Sequence, residues 1–376
     1  MRILVFNWRD RAHPAAGGAE VYTEEVIARW AADGHEVTLF SAAVDGAPAD
    51  ERSDGIHRIR RGGRFGVYRE AKRWYRSLPP RSFDLVIDET NTRPFFCHEW
   101  VDDAPVVALF HQTCEEIWHH QMPLPVALAG RYALEPSWLR RMRSVPALAV
   151  SNSTRDAIAR FGIDDVVVVP EGLTLPERPS VPKADAPTLI HVGRLVSYKQ
   201  VDHIIEAVGI ARERMPELRL WVVGGGPELA SLQSKAAPGV EFFGFVPHQE
   251  KLERMAAAHA IVMASTREGW GLVLAEAAAL GTRAIAYNRP GVRDAVTAAE
   301  GVLVPPTPEA LAAWICATLP TWVAEPPAPV PDGGVSDWDV VAEHVLDAAI
   351  AQAGIGHAHL DRATASQQRI GHDRVA

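Results

Sequence analysis

The feature that most constrains the fold is an alternation of short, almost wholly apolar strands with amphipathic helices. In the first 40 residues, RILVFNW is predicted to be a strand, AEVYTEEVIARWAADG a helix ending at Gly34, and HEVTLF the next strand. A strand, a helix and a second strand in this order indicate a parallel βαβ unit. Strands without polar alternation indicate a sheet that helices cover on both faces. The pattern therefore predicts an α/β protein.

The same pattern occurs twice along the 376 residues. Residues 175–187, LPERPSVPKADAP, contain four prolines and no periodicity, which is typical of a linker. We therefore predict two Rossmann-like domains, at 1–174 and 188–334. A helix at 335–354 and a polar tail at 355–376 are predicted to follow them.

Composition and charge exclude several classes of protein. The formal charge of −9 argues against a general nucleic-acid binder, and no apolar run is long enough to span a membrane. The start MRILVFNW is too short and too β-like for a signal peptide. Cys97, Cys114 and Cys316 are widely spaced, as is typical of reduced thiols, so we expect a cytoplasmic location.

The stretch STREGWGLVLAEAAALG places two glutamates, Glu268 and Glu276, around a glycine-containing turn between a strand and a helix. In open parallel sheets, ligands bind beyond the carboxyl ends of the strands. Gly269 and Gly271 allow close approach of the backbone, and the helix start favours phosphate. Carboxylates suit sugar hydroxyl groups because they accept hydrogen bonds. We therefore expect both carboxylates to flank one phosphorylated ligand.

A second strand-to-helix turn, in HVGRLVSYKQVDHIIEA, carries Gly193, Arg194 and Lys199. A guanidinium fork and an ammonium group together suit a diphosphate. The ordinary alternative is a basic pair on the surface without a ligand.

The spacing of Glu268 and Glu276 resembles the E-x7-E motif of the retaining glycosyltransferases of family 4, which have the GT-B fold. Six further segments are similar to that family and occur in the family order: GGAE, AVSNSTRDAI, VPEGL, GRLVSYK, VVGGGPE and FFGFVP. The resemblance covers about residues 1–350. The resemblance implies two Rossmann-like domains that face each other across a cleft. It also implies that the C-terminal helix crosses back onto the first domain.

The resemblance further implies a role for individual residues. Arg194 and Lys199 should hold the donor diphosphate, Glu268 the transferred sugar and Glu276 the ribose. His111 should face the donor sugar. The remaining residues of the implied nucleotide-sugar site are Gly17 and Gly18 at the cleft floor, Gly193, the base-bordering Gly224, Gly225, Phe245 and Val246, and the turn residues Gly269, Trp270, Gly271 and Leu272.

The expected reaction is retaining transfer of a hexose from a UDP- or GDP-sugar to a nucleophilic acceptor, by front-face attack and without a metal ion. The acceptor is expected to be a small molecule or lipid-linked. Two alternatives stay open at this point. One is a sugar-nucleotide 2-epimerase of the same fold, and the other is a non-catalytic nucleotide-sugar binding protein.

Two other segments allow further interpretations. In HQTCEEIWHH, one continuous helix would align His111, Glu115 and His119 as a metal site, but we expect no metal there and a role in lining the acceptor side of the cleft. Residues 58–81 hold nine Arg or Lys and one acidic residue, interleaved with Phe65, Tyr68, Trp74 and Tyr75. They form either a solvated basic helix or a contact with an anionic acceptor or the inner membrane face.

Overall fold

The computed structural model describes residues 1–175 and 177–355. The predicted polar tail therefore lies, except for Ile355, outside the described residues. Two sheets are present, and their strands lie on either side of the predicted linker at 175–187. The domain boundaries themselves stay a prediction.

The first sheet has eight strands in the order β3-β4-β2-β1-β5-β6-β7-β8. Its strands are β1 (Arg2–Phe6), β2 (Glu36–Ser41), β3 (Asp50–Ser53), β4 (Ile56–Arg60), β5 (Leu85–Thr90), β6 (Val106–Phe110), β7 (Ala147–Ala149) and β8 (Val166–Val168). Its helices are α1 (Gly18–Ala32), α2 (Val67–Tyr75), α3 (Ile117–Gln121), α4 (Leu124–Ala129), α5 (Glu135–Arg141) and α6 (Asn152–Ala159), with a π-helical turn at Gly130–Leu134 and a 3₁₀ turn at Cys97–Glu99. Apart from the antiparallel pair β3–β4, the strand pairings are parallel.

The second sheet has six parallel strands in the order β11-β10-β9-β12-β13-β14. Its strands are β9 (Thr188–Val192), β10 (Arg219–Val223), β11 (Val240–Gly244), β12 (Ala260–Met263), β13 (Arg283–Tyr287) and β14 (Val302–Val304). Its helices are α7 (Val201–Arg212), α8 (Leu229–Lys235), α9 (His248–Ala257), α10 (Leu272–Ala279), α11 (Val292–Ala298) and α12 (Pro308–Ala324), with 3₁₀ turns at Ser197–Lys199 and Pro331–Gly334.

Both sheets reverse their strand order near the middle. In the first sheet the chain runs outward from β1 and returns to β5 on the other side, and in the second it runs outward from β9 and returns to β12. The loops after such neighbouring strands diverge and leave a crevice at the carboxyl edge. The fold therefore places one crevice beside β1 and β5 and another beside β9 and β12.

The core explains why the strands are so apolar. Ile3, Val5 and Ile87 pack against α1, and Leu4, Phe6 and Val86 belong to a second cluster that includes residues of α2. The second sheet has the same arrangement, with clusters formed with α7 and α12 and with α9, α10 and α11. Helices thus cover both faces of each sheet, and the fold class predicted from the sequence is confirmed.

The last described helix, α13 (Trp338–Gln352), packs on the first sheet's side of the molecule. Trp338 meets the ring of Tyr22 edge-on at 5.6 Å between centroids. The indole of Trp30 donates a hydrogen bond of 2.8 Å to the carbonyl of Ala342. A side chain on Gly172 would lie within 2.8 Å of the Trp338 ring. The chain therefore returns from the second sheet to α1 of the first.

Candidate active site

The loops that follow β9 and β10 lie backbone to backbone at the crevice of the second sheet. Gly224 has a φ of 129°, and a Cβ atom there would lie 1.9 Å from the carbonyl oxygen of Gly193. A Cβ atom on Gly226 would lie 2.3 Å from the carbonyl oxygen of Leu195. Only glycine allows this packing. It holds the backbone on both sides of Arg194 in place.

Lys199 and Glu268 form an ion pair across this crevice, one from the turn after β9 and the other from the turn after β12. Their side chains are 14% and 12% exposed. Burial alone would lower the pKa of Lys199, but the carboxylate of Glu268 raises it above its ordinary value. Lys199 is therefore held as a cation, and an anionic ligand could replace Glu268 as its partner.

Glu276 is also paired with a lysine. Lys251, on α9, places its Nζ 2.9 and 2.8 Å from the two carboxylate oxygens. The side chains of Lys251 and Glu276 are 19% and 18% exposed. Lys251 lies in none of the motifs that predicted the site, because its role depends on a contact between α9 and α10. It fixes the orientation of the carboxylate.

The three residues before α10, Gly269, Trp270 and Gly271, each have a distinct structural role. Gly271 caps the helix in the left-handed region, with a φ of 113°. The side chain of Trp270 is buried in the core cluster that contains Leu274. A Cβ atom on Gly269 would lie 2.8 Å from the carbonyl oxygen of His111. This glycine lets the two halves of the molecule, one containing the first sheet and the other the second sheet, approach each other.

The glycine loop of the first half faces Arg194. Gly17 caps α1, and its N–H donates a hydrogen bond of 2.6 Å to Glu20. Arg9 pairs with Glu20 at 2.8 Å and, like Arg194, donates a hydrogen bond to the carbonyl of Ala15. Burial lowers the pKa of Arg9, and the charge of Arg194 adds to that effect. Two guanidinium groups, those of Arg9 and Arg194, thus contact this loop. Arg194 was predicted from the sequence as a site residue, but Arg9 was not.

His111 follows β6 and is 2% exposed. Its Nε2 lies 3.3 Å from Glu89, which also accepts hydrogen bonds from Asn7 and Thr23. Burial would lower the pKa of His111, but the hydrogen bond and charge of Glu89, with the charge of Glu171, raise it. The ring is therefore locked in one orientation at the crevice of the first sheet.

Glu171, which follows β8, is another residue that the motifs did not single out for a role. It is 3% exposed, and a Cβ atom on Gly18 would lie 3.9 Å from each of its carboxylate oxygens. Burial raises the pKa of Glu171 to about 7, opposed by the charge of His111 and increased by that of Glu268. Its carboxylate therefore lies among predicted site residues from both halves.

Polar contacts join the two halves around the crevice. Arg267, 5% exposed, donates hydrogen bonds to Glu116 at 3.0 Å and to Thr113 at 3.2 Å. On another side, the N–H of Ser153 donates a hydrogen bond of 3.2 Å to Asp294. No motif predicted these contacts, because they join segments that are distant in the sequence. They hold the cleft walls together.

The residues predicted to border the nucleotide base differ in their exposure to solvent. Phe243 lies under the guanidinium of Arg254, which is 3.5 Å from the ring centroid. Phe245 is 94% exposed, and Val246 packs beside the core of the second half. Contact of these residues, Gly224 and Gly225 with a base stays a prediction. A separate cavity of about 190 Å³, lined by residues that include Ser197 and His203, contains none of the predicted site residues.

The alternative metal arrangement in HQTCEEIWHH needed a continuous helix from His111 to His119. In the structure His111 follows a strand, Glu115 has a φ of 33°, and α3 begins only at Ile117. The helical spacing behind that alternative is therefore wrong. Among residues 1–175 and 177–355, no group of three or more His, Cys, Asp or Glu side chains could hold a metal ion.

The basic segment at 58–81 is not one continuous solvated helix. Arg58 and Arg60 lie in β4 and form ion pairs with Glu24 at 2.6 Å and with Asp10 at 2.5 Å. Trp74 is buried, as is Tyr75, and Phe65 is 81% exposed. The remaining basic residues lie on or beside α2, and all but the half-buried Lys72 are exposed: Arg61, Arg64, Arg69, Lys72, Arg73, Arg76 and Arg81. Within the described part of the chain, no helix has both the length and the apolar character to cross a bilayer.

Comparisons with known proteins agree with this architecture. The model of Glycosyltransferase Family 4 matches residues 16–175, and that of Glycosyl transferases group 1 matches residues 176–319. A glycogen synthase of Mycobacterium tuberculosis is 27% identical over 335 residues, which cover 79% of this chain and 80% of the relative. A GDP-mannose-dependent alpha-(1-6)-phosphatidylinositol dimannoside mannosyltransferase of the same species is 25% identical over 324 residues, covering 80% and 83%.

Solved structures of low sequence identity share the fold. A sucrose-phosphate synthase from Thermosynechococcus elongatus has a TM-score of 0.66 and 20% identity over 98% of this chain and 99% of its own. Anabaena HepE, in complex with UDP and glucose, has a TM-score of 0.66 and 17% identity over 92% and 98%. With the two family matches adjoining along the sequence, the chain belongs to the family 4 glycosyltransferases of GT-B fold.

Proposed function

We propose that this glycosyltransferase moves a hexose from a UDP- or GDP-sugar to a hydroxyl-bearing acceptor, with retention of configuration and without a metal ion. The observation that carries the proposal is the position of Arg194, Lys199 and Glu268. They follow the neighbouring strands β9 and β12, where the second sheet reverses its order. Ligands of open α/β sheets bind at such a point.

The charges at this point suit a sugar diphosphate. Arg194 and Lys199 supply fixed cations, and the start of α10 supplies backbone N–H groups and the positive end of its dipole. A bound diphosphate would replace Glu268 as the partner of Lys199. Glu268 would then be free to accept hydrogen bonds from the sugar.

The mechanism follows from where charge develops. Cleavage of the bond between sugar and phosphate builds negative charge on the diphosphate and positive charge on the anomeric carbon. Fixed cations next to the diphosphate lower that barrier, because they need no rearrangement during the reaction. In a front-face attack, the acceptor hydroxyl approaches from the leaving-group side and passes its proton to the departing phosphate.

The relatives support a sugar-nucleotide donor and leave the acceptor class broad. One relative is named for GDP-mannose and a phosphatidylinositol mannoside, and another is named a glycogen synthase. HepE is described with UDP-glucose and with UDP. We therefore propose either UDP or GDP as the donor nucleotide and a small-molecule or lipid-linked acceptor.

The first test is a binding and product assay on the full chain. UDP, GDP, UDP-glucose and GDP-mannose would be screened by thermal shift, since a ligand that binds only the folded state raises the melting temperature. The donor that binds would then be incubated with candidate acceptors, and the anomeric configuration of the product read by NMR. Formation of an epimer without acceptor would instead identify a 2-epimerase. Binding without either product would identify a non-catalytic protein.

The exposed basic surface on and beside α2 offers a contact with anionic lipid. We propose that it holds the enzyme at the inner membrane face, because each Lys or Arg near such a surface contributes about 1 kcal/mol. The wild type should sediment with vesicles containing phosphatidylglycerol and not with neutral phosphatidylcholine vesicles. Changing Arg69, Lys72, Arg73 and Arg76 to Glu should abolish that binding. A wild type that never sediments with anionic vesicles would show the membrane proposal to be wrong.

A further inference from the structure

We propose that Glu171 is a specificity-determining residue which, with His111, binds one hydroxyl group of the transferred sugar. The proposal rests on the proposed function and concerns the same cleft. Glu171 belongs to the first half of the molecule and lies outside the groups expected to hold the diphosphate.

The first observation is an unfilled hydrogen-bond position. Glu171 is 3% exposed, and its Oε2 has no hydrogen-bond partner among residues 1–175 and 177–355. Burial of a carboxylate without a partner is costly, so such a group is uncommon unless it serves a ligand. The two other buried carboxylates named in this part of the cleft, Glu20 and Glu89, both accept hydrogen bonds.

The second observation is an unfilled position on the neighbouring histidine. The Nε2 of His111 is bound to Glu89, while its buried Nδ1 has no partner in the described chain. The charge of Glu171 raises the pKa of His111, and the charge of His111 lowers that of Glu171. Each charge thus affects the pKa of the other group, and no hydrogen bond joins the two side chains in the described structure.

A hydroxyl group suits both positions at once, because it donates one hydrogen bond and accepts others. If His111 is protonated, Nδ1 donates to the hydroxyl, which donates to the carboxylate of Glu171. If His111 is neutral, the hydroxyl donates to Nδ1 and accepts from the protonated carboxyl group. Either placement of the shared proton leaves both groups satisfied. A phosphate group does not suit the position, because Glu89 and Glu171 would repel it.

The position of Glu171 assigns this hydroxyl to the sugar. A Cβ atom on Gly18 would lie 3.9 Å from each of its carboxylate oxygens, and the charge of Glu268 raises its pKa. Glu171 therefore lies beside the glycine loop, and its carboxylate responds to the charge of Glu268, which is proposed to bind the sugar. The base-bordering loops follow β10 and β11, on the far side of β9 from β12.

The test separates recognition of the sugar from recognition of the nucleotide. Calorimetry at pH 7.5 would measure Kd for UDP, GDP, UDP-glucose and GDP-mannose with the wild type, Glu171→Gln and Glu171→Ala. Both variants should bind the free nucleotide within twofold of the wild type. Glu171→Ala should bind the matching nucleotide-sugar at least tenfold more weakly, and Glu171→Gln should lose less affinity because its amide group can still hydrogen-bond the hydroxyl. Glu217→Gln, at an exposed position, is the matched control and should change neither value.

A second measurement identifies the hydroxyl itself. Among monodeoxy analogues of the bound nucleotide-sugar, one should lose affinity for the wild type and lose no more when Glu171 is Ala. Unchanged nucleotide-sugar affinity in Glu171→Ala would overturn the proposal. Equal losses for nucleotide and nucleotide-sugar would also overturn it, because they would indicate a structural role. A wild type that binds none of the four compounds would refute the proposed function itself.

Discussion

The two walls of the cleft use their carboxylates in opposite ways. In the second half, Glu268 and Glu276 each face a lysine from another loop or helix, Lys199 and Lys251. In the first half, Glu171 is buried with an oxygen that has no partner among the described residues. A paired carboxylate is held in place before a ligand arrives, whereas an unpaired buried one makes the empty site less stable.

This difference indicates how each wall contributes to binding. Lys199 can exchange its carboxylate partner for a phosphate without a net loss of partners. Glu171 and His111 gain a hydrogen-bond partner only when a ligand is bound. The second half therefore provides a preformed site for the diphosphate of the donor. The first half completes its hydrogen bonds only when the sugar is bound.

The sharpest way to break the comparison is Lys199→Ala. We expect the transfer rate to fall by about 10²–10³, the cost of losing one fixed group that stabilises developing negative charge. The affinity for the free nucleoside diphosphate should also fall. Turnover with the preferred donor and calorimetry with UDP or GDP would measure the two effects. Lys235→Ala is the control, since that side chain is 56% exposed and pairs with Asp202 instead of with a predicted site residue.

Part of the loss in Lys199→Ala would come from leaving Glu268 buried without its lysine. The double variant with Glu268→Gln separates this contribution, because the effects of directly contacting residues are not additive. Full activity of Lys199→Ala would show that the ion pair is structural, and the contrast between the walls would then concern stability alone.

The second prediction concerns stability of the unliganded protein. Burial raises the pKa of Glu171 to about 7, so the folded state keeps a proton that the unfolded state loses near its ordinary value of 4.5. The contribution of Glu171 to stability therefore falls as pH rises from about 4.5 to about 7. Glu171→Gln should match the wild type at pH 5. It should exceed it at pH 9 by on the order of 2–3 kcal/mol.

Urea unfolding at pH 5 and pH 9 would measure this difference, with Glu217→Gln as the exposed control. If Glu171→Gln were no more stable than the wild type at pH 9, the carboxylate would have a partner in the empty site. The contrast between paired and unpaired walls would then be lost.

The fold was predictable because most strands of both sheets are short apolar runs. Strands β3 and β4, with the sequences DERS and IHRIR, were missed because charged residues interrupt any apolar run there. Helix α4 was missed for a related reason: the segment from Leu124 to Leu134 leaves large apolar side chains exposed and has no clear period.

The candidate site was predictable where one short segment carries its chemistry. Arg194 and Lys199 share a turn, and Glu268 and Glu276 share a motif, so spacing revealed them. Lys251 and Arg9 have roles only through contacts that the fold creates, and Glu171 is distinguished by burial. No local pattern of the sequence encodes those properties.

The smallest expected effect, and the one that sharpens the comparison most, belongs to Lys251. Its Nζ lies 2.9 and 2.8 Å from the oxygens of Glu276, so it acts on the donor through that carboxylate. Lys251→Ala should raise KM for the donor about tenfold, as loss of a charge-assisted hydrogen bond does, with kcat nearly unchanged. Lys251→Arg should restore KM, and adding Lys251→Ala to Glu276→Gln should cost little more. A fall in kcat instead of a rise in KM would indicate that Lys251 contacts the reacting phosphates. Lys199 and Lys251 would then have the same role.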